Sequence, residues 1–181
     1  IRTVLGGACG CDVCAGKGTK TKQLRSMFPD AFIAATEPND MRRQTLMEVA
    51  SEHDVTVYTE DTAGPTEPFD LVVVDAPCSN SGVFARRPEA KYRYKEKTID
   101  SLVQLQRDIL KESCDVLSQQ GHLLYATCSI DREENENQMK WLAEKRHLHL
   151  VNRTLVMPNG MPGTLKTEWH DGGFAALLSR G

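Results

Sequence analysis

Two apolar runs, each closing on a polar turn that carries a cysteine, constrain this chain more than any other feature. One is Phe69-Asp70-Leu71-Val72-Val73-Val74-Asp75-Ala76-Pro77-Cys78; the other is Gly121-His122-Leu123-Leu124-Tyr125-Ala126-Thr127-Cys128-Ser129. Short, nearly unbroken runs of Val and Leu suit strands buried on both faces, as in a parallel sheet covered by helices. In open sheets of that kind the ligand crevice lies beyond the carboxyl ends of the strands. A lone free cysteine is ordinarily a small core residue. Two thiols at such strand ends, one of them three residues after Asp75, point instead to covalent chemistry.

The rest of the chain alternates strand-like and helical patterns, which predicts an α/β sheet flanked by helices. Cys11-Asp12-Val13-Cys14 ends a first strand, and Ala15-Gly16-Lys17-Gly18 turns into a helix from Thr19. Ala31–Thr36 forms a second strand closed by Glu37, and Asn39 or Asp40 caps a helix to about Ser51. Val55–Tyr58 is a short third strand ending at Glu60-Asp61, and Phe69–Asp75 is the fourth. Ser79 to Lys95 reads as a long functional loop. Ile99, Leu102, Val103, Ile109, Leu110 and Leu117 then recur at helical spacing. Gly121 turns that helix into a fifth strand, His122–Ala126. Asp131-Arg132-Glu133-Glu134 starts a further helix, where carboxylates suit the dipole. Leu148–Leu155 and Gly173–Leu178 are strand candidates separated by a loop, Pro158–Gly163.

The 181 residues suffice for one domain, 1–181, and a formal charge of −3 gives no global basic field. Nucleic-acid binding would need a local patch. Six cysteines without a disulfide-scaffold length or secretory signal predict free thiols in a reducing, cytoplasmic setting. No run reaches membrane-spanning length, no obligate protein partner is evident, and Ile1 in place of a methionine suggests a domain cut from a longer protein.

Cys14-Ala15-Gly16-Lys17-Gly18-Thr19-Lys20-Thr21 is a strand–turn–helix that lets a ligand approach the backbone. Its glycines lack the spacing of a nucleotide-hydrolysing loop. With Glu37, Asp61 and Asp75 ending the following strands, the better reading is an adenosine-containing cofactor, its ribose hydroxyls gripped by Glu37. Cys9 and Cys11 share a strand face while Cys14 lies past the turn, so no metal is read there. The five histidines have no ligand spacing. In Arg86-Arg87-Pro88-Glu89-Ala90-Lys91-Tyr92-Arg93-Tyr94-Lys95, cations mix with two tyrosines, a composition that binds phosphates and stacks on bases. Arg86, Arg87, Lys91 and Arg93 are the candidate RNA contacts.

Taken together, Asp12-Val13-Cys14-Ala15, Asp75-Ala76-Pro77-Cys78, Arg86-Arg87-Pro88-Glu89 with Lys91, Thr127-Cys128-Ser129 with Glu133-Glu134-Asn135, and Asp171-Gly172-Gly173-Phe174 resemble the NOP/Sun family of RNA cytosine-C5 methyltransferases. The bacterial Sun, or RsmB-like, branch acting on 16S ribosomal RNA is the nearest in pattern. The family's first motif reads Ala-Pro-Gly-Gly-Lys-Thr after Cys-Ala, where this chain has Gly16-Lys17-Gly18-Thr19-Lys20-Thr21; Lys20 matches the family's functional lysine.

The resemblance implies a Rossmann-like, class I methyltransferase fold with a mostly parallel seven-stranded sheet, helices on both faces and a final antiparallel strand. It implies S-adenosylmethionine as cofactor, held by Cys14 through Lys20 with Glu37, Asp61 and Asp75. It makes Cys128 the thiolate that adds to cytosine C6 and Cys78 the group that helps remove the C5 proton and release the product. Asp75 would hydrogen-bond the cytosine edge, and Lys20 would supply positive charge near the nucleophile. The substrate implied is ribosomal RNA. Transfer RNA, or a non-catalytic RNA-binding scaffold of the same fold, are the alternatives, and the family's N-terminal RNA-binding region is absent from the sequence.

Overall fold

A computed structural model describes residues 9–62, 65–160 and 165–180. Its elements run β1 (Cys9–Val13), α1 (Thr19–Met27), β2 (Phe32–Thr36), α2 (Asp40–His53), β3 (Thr56–Tyr58), β4 (Phe69–Asp75), a 3-10 turn at Ser81–Val83, α3 (Ala90–Arg93), α4 (Glu96–Asp115), β5 (Leu117–Thr127), α5 (Glu136–Arg146), β6 (Leu148–Val156), a second 3-10 turn at Lys166–Glu168, and β7 (Gly173–Arg180). The strands order as β3-β2-β1-β4-β5-β7-β6 in a mostly parallel sheet of seven with antiparallel strands at the edge, the Rossmann-like class expected. The chain clusters into two compact units. The first holds the sequence up to Asp75, Glu112–Leu124 and the end from Ser179; the second holds Ala76–Lys111 and Tyr125–Leu178.

In the first unit, β1 pairs in parallel with β2 and β4, and β2 with β3. Val13 lies beside Thr36 on one side and Val74 on the other. Cys14, Glu37 and Asp75, the next residues along, therefore leave the sheet at one end. Strand order reverses about β1 and β4, the position at which open sheets bind ligands. Both faces of β4 are buried, Leu71 and Val73 on one and Val72 and Val74 on the other, which explains its unbroken apolar run. On the Leu71 face, Leu24 and Phe28 from α1 and its cap pack on Ile33, Leu71 and Val73, and Leu46 of α2 packs on Ala35 and Ala15. Asn39 caps α2 by accepting the Arg42 N–H at 3.1 Å.

Three sequence expectations need correction. Strand β5 begins at Leu117, which is not the end of α4, and Gly121 lies inside it. A Cβ at Gly121 would stand 2.9 Å from Leu117 Cγ and 3.0 Å from the Phe69 carbonyl oxygen, so glycine is there for close approach and not for a turn. The Ser79–Lys95 stretch is not wholly loop: it folds into the turn Ser81–Val83 and the short helix α3. Glu133 and Glu134 precede α5, whose N-cap is Asn135, and Glu134 is fully buried instead of serving the helix dipole from solvent. Residues 161–163 of the expected loop lie outside the described residues. In the second unit β6 ends the sheet, with Leu148 buried and the remainder exposed.

Candidate active site

The first unit carries the glycine turn. Cys14, Gly16 and Gly18 all take positive φ, at 63°, 59° and 83°. The turn is pinned by Ala15 N–H to the Thr36 carbonyl at 2.9 Å and by Gly18 N–H to the Ala15 carbonyl at 2.9 Å. Glu37, buried at the end of β2, accepts the Gly16 N–H at 2.8 Å and the Asn39 N–H at 2.9 Å, so one carboxylate ties the turn to the start of α2. A Cβ on Gly18 would press within 2.9 Å of Val49, whereas one on Gly16 would meet nothing within 4 Å. The turn is thus tight beneath and open above.

Two further carboxylates flank it. Asp75 forms an ion pair with Lys20, each side chain about two-fifths exposed (40 and 37 %). Asp12 is fully buried, and its Oδ2 accepts the Thr21 hydroxyl at 2.6 Å. Its Oδ1 has no protein donor. Burial, against the Thr21 hydrogen bond, pushes the Asp12 carboxyl up to about 6. Burial, followed by the carboxylates of Glu37, Asp12 and Asp75, also pushes the Cys14 thiol up to about 12, so it is an unreactive thiol. Lys17 and Thr19 point to solvent, and Asp61 lines a polar depression with Pro38, Asp40, Arg43, Thr59 and Glu60.

The second unit carries the thiols. Ala76 N–H donates to the Ala126 carbonyl at 2.9 Å, and the two segments run on in step for two residues to Cys78 and Cys128. Their Sγ atoms come within 3.2 Å. Asn80, in the left-handed region at φ 62°, spans them: its amide nitrogen donates to the Cys78 carbonyl at 2.9 Å and its oxygen accepts from Cys128 Sγ at 3.0 Å. The hydrogen bond with Cys128 and then burial raise the Cys78 thiol far above its ordinary range, so it keeps its proton. Gly82 N–H donates to the Cys128 carbonyl at 3.0 Å and Gly172 N–H to the Gly82 carbonyl at 2.7 Å. A Cβ on Gly82 would lie 2.5 Å from the Gly172 oxygen, which leaves glycine alone able to occupy that position.

A buried polar frame holds these turns. Glu134 accepts the Ser79 N–H at 2.9 Å, the Ser79 hydroxyl at 2.5 Å and Gln106 Nε2 at 3.0 Å. Gln106 Nε2 also reaches the Pro77 carbonyl at 2.9 Å, and its oxygen accepts from Gln138. Thr127 and Asn135 are joined at 2.7 Å.

The basic-loop candidates Arg86, Arg87, Lys91 and Arg93 are all exposed. Arg86 is ion-paired with Asp171 at 2.5 Å, and Lys91 sits 5.9 Å over the Phe84 ring. All four expected cations are therefore at the surface, two of them with a neighbouring partner. Asn80, Glu134, Gln106, Asp131 and the unpartnered oxygen of Asp12 are parts of the two centres that the sequence did not single out as site residues.

Comparison with known proteins bears on both centres. A family model described as 16S rRNA methyltransferase RsmB/F matches residues 8–169. Ribosomal RNA small subunit methyltransferase B of Vibrio cholerae is 33% identical over 179 residues, covering 93% of this chain and 41% of the relative. The Escherichia coli protein of the same description is 35% identical over 175 residues, covering 92% and 41%. Among solved structures, PH0851 matches with a TM-score of 0.75 at 31% identity, over 95% of this chain and 42% of that one. NSun6 from Pyrococcus horikoshii, solved with SFG, matches in fold with a TM-score of 0.76 at 23% identity, over 99% and 50%. The chain spans about two-fifths of the length of the curated relatives it matches. With most of its length matched by the family model and relatives above 30% identity, the chain belongs to the 16S rRNA methyltransferase RsmB/F family.

Proposed function

We propose that this chain is the catalytic part of an S-adenosylmethionine-dependent methyltransferase that acts on C5 of cytosine in 16S ribosomal RNA. The observation that carries the reading is the pair of sulfur atoms 3.2 Å apart at Cys78 and Cys128, fixed by Asn80. A structural cysteine needs no second thiol in contact with it, and a metal site would need further ligands, of which none is grouped among the described residues.

The glycine turn fits the cofactor: open space lies above Gly16, and a buried carboxylate oxygen of Asp12 lacks a protein donor. Glu37 would hold the ribose hydroxyls, with the backbone of Cys14–Lys20 and Asp75 beside them and Asp61 toward the adenine. Bound there, S-adenosylmethionine supplies an electrophilic methyl group. Cytosine C5 is too poor in electrons to take it unaided. Addition of the Cys128 sulfur to C6 makes C5 nucleophilic, and Asp75, its charge balanced by Lys20, steers the ring edge as N3 gains a proton. Cys78, held as a thiol by its hydrogen bond with Cys128 and by burial, is the poorer nucleophile; its role is at the C5 proton, which it takes as its own proton passes to the Cys128 sulfur leaving C6. Arg86, Arg87, Lys91 and Arg93 suit the phosphates of a strand whose target base is turned out of its stack. We place the protein in the cytoplasm, whose reducing conditions suit six cysteines of which none is in a disulfide; no described helix is long and apolar enough to cross a membrane.

The test is methylation by the full-length protein of 16S ribosomal RNA and of transfer RNA transcripts with a labelled methyl donor, followed by bisulfite mapping. The expected product is 5-methylcytosine in the ribosomal RNA. A mark confined to transfer RNA moves the substrate, and no transfer to either RNA defeats the reading. At the cofactor, Glu37→Ala removes the acceptor of two backbone N–H groups and of the ribose. Affinity for S-adenosylmethionine by titration calorimetry should fall about tenfold or more. An unchanged affinity takes Glu37 out of the site.

A further inference from the structure

The turns that follow the two thiols share a carboxylate. Asp131 Oδ2 accepts from the Ser81 hydroxyl at 2.6 Å and the Ser129 hydroxyl at 3.0 Å. Ser81 lies three residues beyond Cys78, and Ser129 directly follows Cys128. Both serine oxygens already accept a backbone N–H, Ser81 from Ile130 at 3.0 Å and Ser129 from Asp131 at 3.0 Å. The two hydroxyls also lie 3.0 Å from each other, and whichever donates across that contact, at least one proton is left for the carboxylate, so an acceptor is the group that completes the arrangement. Ser79 Oγ stands 3.1 Å from the same oxygen while making its shorter bond, 2.5 Å, to Glu134.

The other oxygen faces elsewhere. Asp131 Oδ1 accepts the Tyr94 hydroxyl at 2.6 Å. Tyr94 directly follows α3 in the basic loop, its ring edge-on to Phe84 at 5.5 Å, and Lys91 lies over that Phe84 ring. Burial alone would raise the Asp131 carboxyl, but the hydroxyls of Ser81, Tyr94, Ser129 and Ser79 together hold it below the usual range. It is therefore an anion at neutral pH, held so by the hydroxyls around it.

We infer that Asp131 is a positioning residue that sets the Cys78 and Cys128 turns against each other through one oxygen and anchors the basic loop through the other. The inference rests on the proposed reading of the two thiols as reacting groups. Its two oxygens make separable predictions. Asp131→Asn keeps an oxygen for Tyr94 but puts an NH₂ group against two hydroxyls whose mutual contact, 3.0 Å between oxygens, can take only one of their two protons. Tyr94→Phe removes the loop anchor and leaves the serine side intact.

The experiment uses the full-length protein. Steady-state methylation should give Asp131→Asn a kcat lowered about tenfold or more with the RNA KM within about twofold of the parent. Tyr94→Phe should show the reverse, an RNA KM raised about fivefold with kcat within about twofold. Hydrogen exchange at the amides of Ser79–Val83 and Cys128–Asp131 should quicken in Asp131→Asn and stay unchanged in Tyr94→Phe. Unchanged exchange in Asp131→Asn overturns the inference whatever the activity does. Faster exchange with an unchanged kcat also overturns it, because the carboxylate then only stabilises the fold. If the parent protein transfers no methyl group, the functional reading fails, and the exchange data still decide whether Asp131 holds the two turns.

Discussion

Cys128→Ala should reduce methylation to background and form no covalent complex with RNA, because no sulfur remains to add at C6. Cys78→Ala should do something different. Addition at C6 and methylation at C5 proceed, but the C5 proton has lost its acceptor, and the adduct cannot collapse to product. A protein–RNA species that survives denaturing electrophoresis should accumulate, while turnover falls by about 10²–10⁴, the range for loss of a general base. The asymmetry follows from the second unit. Cys78 is held as a thiol by its hydrogen bond with Cys128 and by burial. Cys128 contacts both Cys78 and Asn80, and its carbonyl is fixed by Gly82. A purely packing role for either residue predicts only a loss of stability, on the order of 1–2 kcal/mol for so small a side chain, and no trapped RNA. Thermal unfolding of both variants separates that effect from the chemical one. A trapped species in Cys128→Ala in place of Cys78→Ala exchanges the two roles. The doubly substituted protein should trap nothing.

Much of this was legible in the sequence because it depends on covalent order. The unbroken Val72–Val74 run gives a strand buried on both faces, and residues just past strand ends must gather at one edge of a parallel sheet; Cys14, Glu37 and Asp75 do so by register. The supporting frame was harder to read. Gln106 lies seven residues after Ile99 and four before Leu110, on the apolar stripe of α4, and a polar residue there was the available sign of a buried amide network. Glu134 looked like a helix-start carboxylate because its neighbours are acidic; only the tertiary fold brings Ser79 and Gln106 to it. The polar stretch Ser118-Gln119-Gln120-Gly121 resembled a turn, yet Gln119 and Gln120 are the exposed part of β5, and Gly121 answers to Leu117 and Phe69. The basic loop gave its charges but not their partners: nothing local to Arg86 indicates an ion pair with Asp171, 85 residues away. In each case the missing information was a long-range partner, which composition and periodicity do not carry.

Asp12 leads to a prediction about stability and pH. Its carboxyl is fully buried, one oxygen bound by Thr21 and the other without a protein donor. The folded chain holds that proton up to about 6, against 3.8 for an ordinary aspartate. Through that interval the folded state therefore binds more protons than the unfolded one, and the contribution of Asp12 to stability falls as pH rises. Above the interval the ionised group costs the fold on the order of 2–3 kcal/mol. Asp12→Asn keeps an oxygen for the Thr21 hydroxyl and removes the buried charge. At pH 8 the variant should be more stable than the parent by about 1–3 kcal/mol, the lower end allowing for an amide N–H without a partner. At pH 4 the two should unfold nearly alike, since the parent residue is then mostly neutral in the folded state. Urea unfolding at both pH values measures the difference directly. A variant less stable than the parent at pH 8 means that the charge is balanced, and the unpartnered oxygen then has no energetic consequence. If stability rises as expected while affinity for S-adenosylmethionine falls, the cost is explained. On that outcome the Asp12 oxygen without a protein donor belongs to the cofactor site, and its cost to the fold is one that the bound ligand offsets.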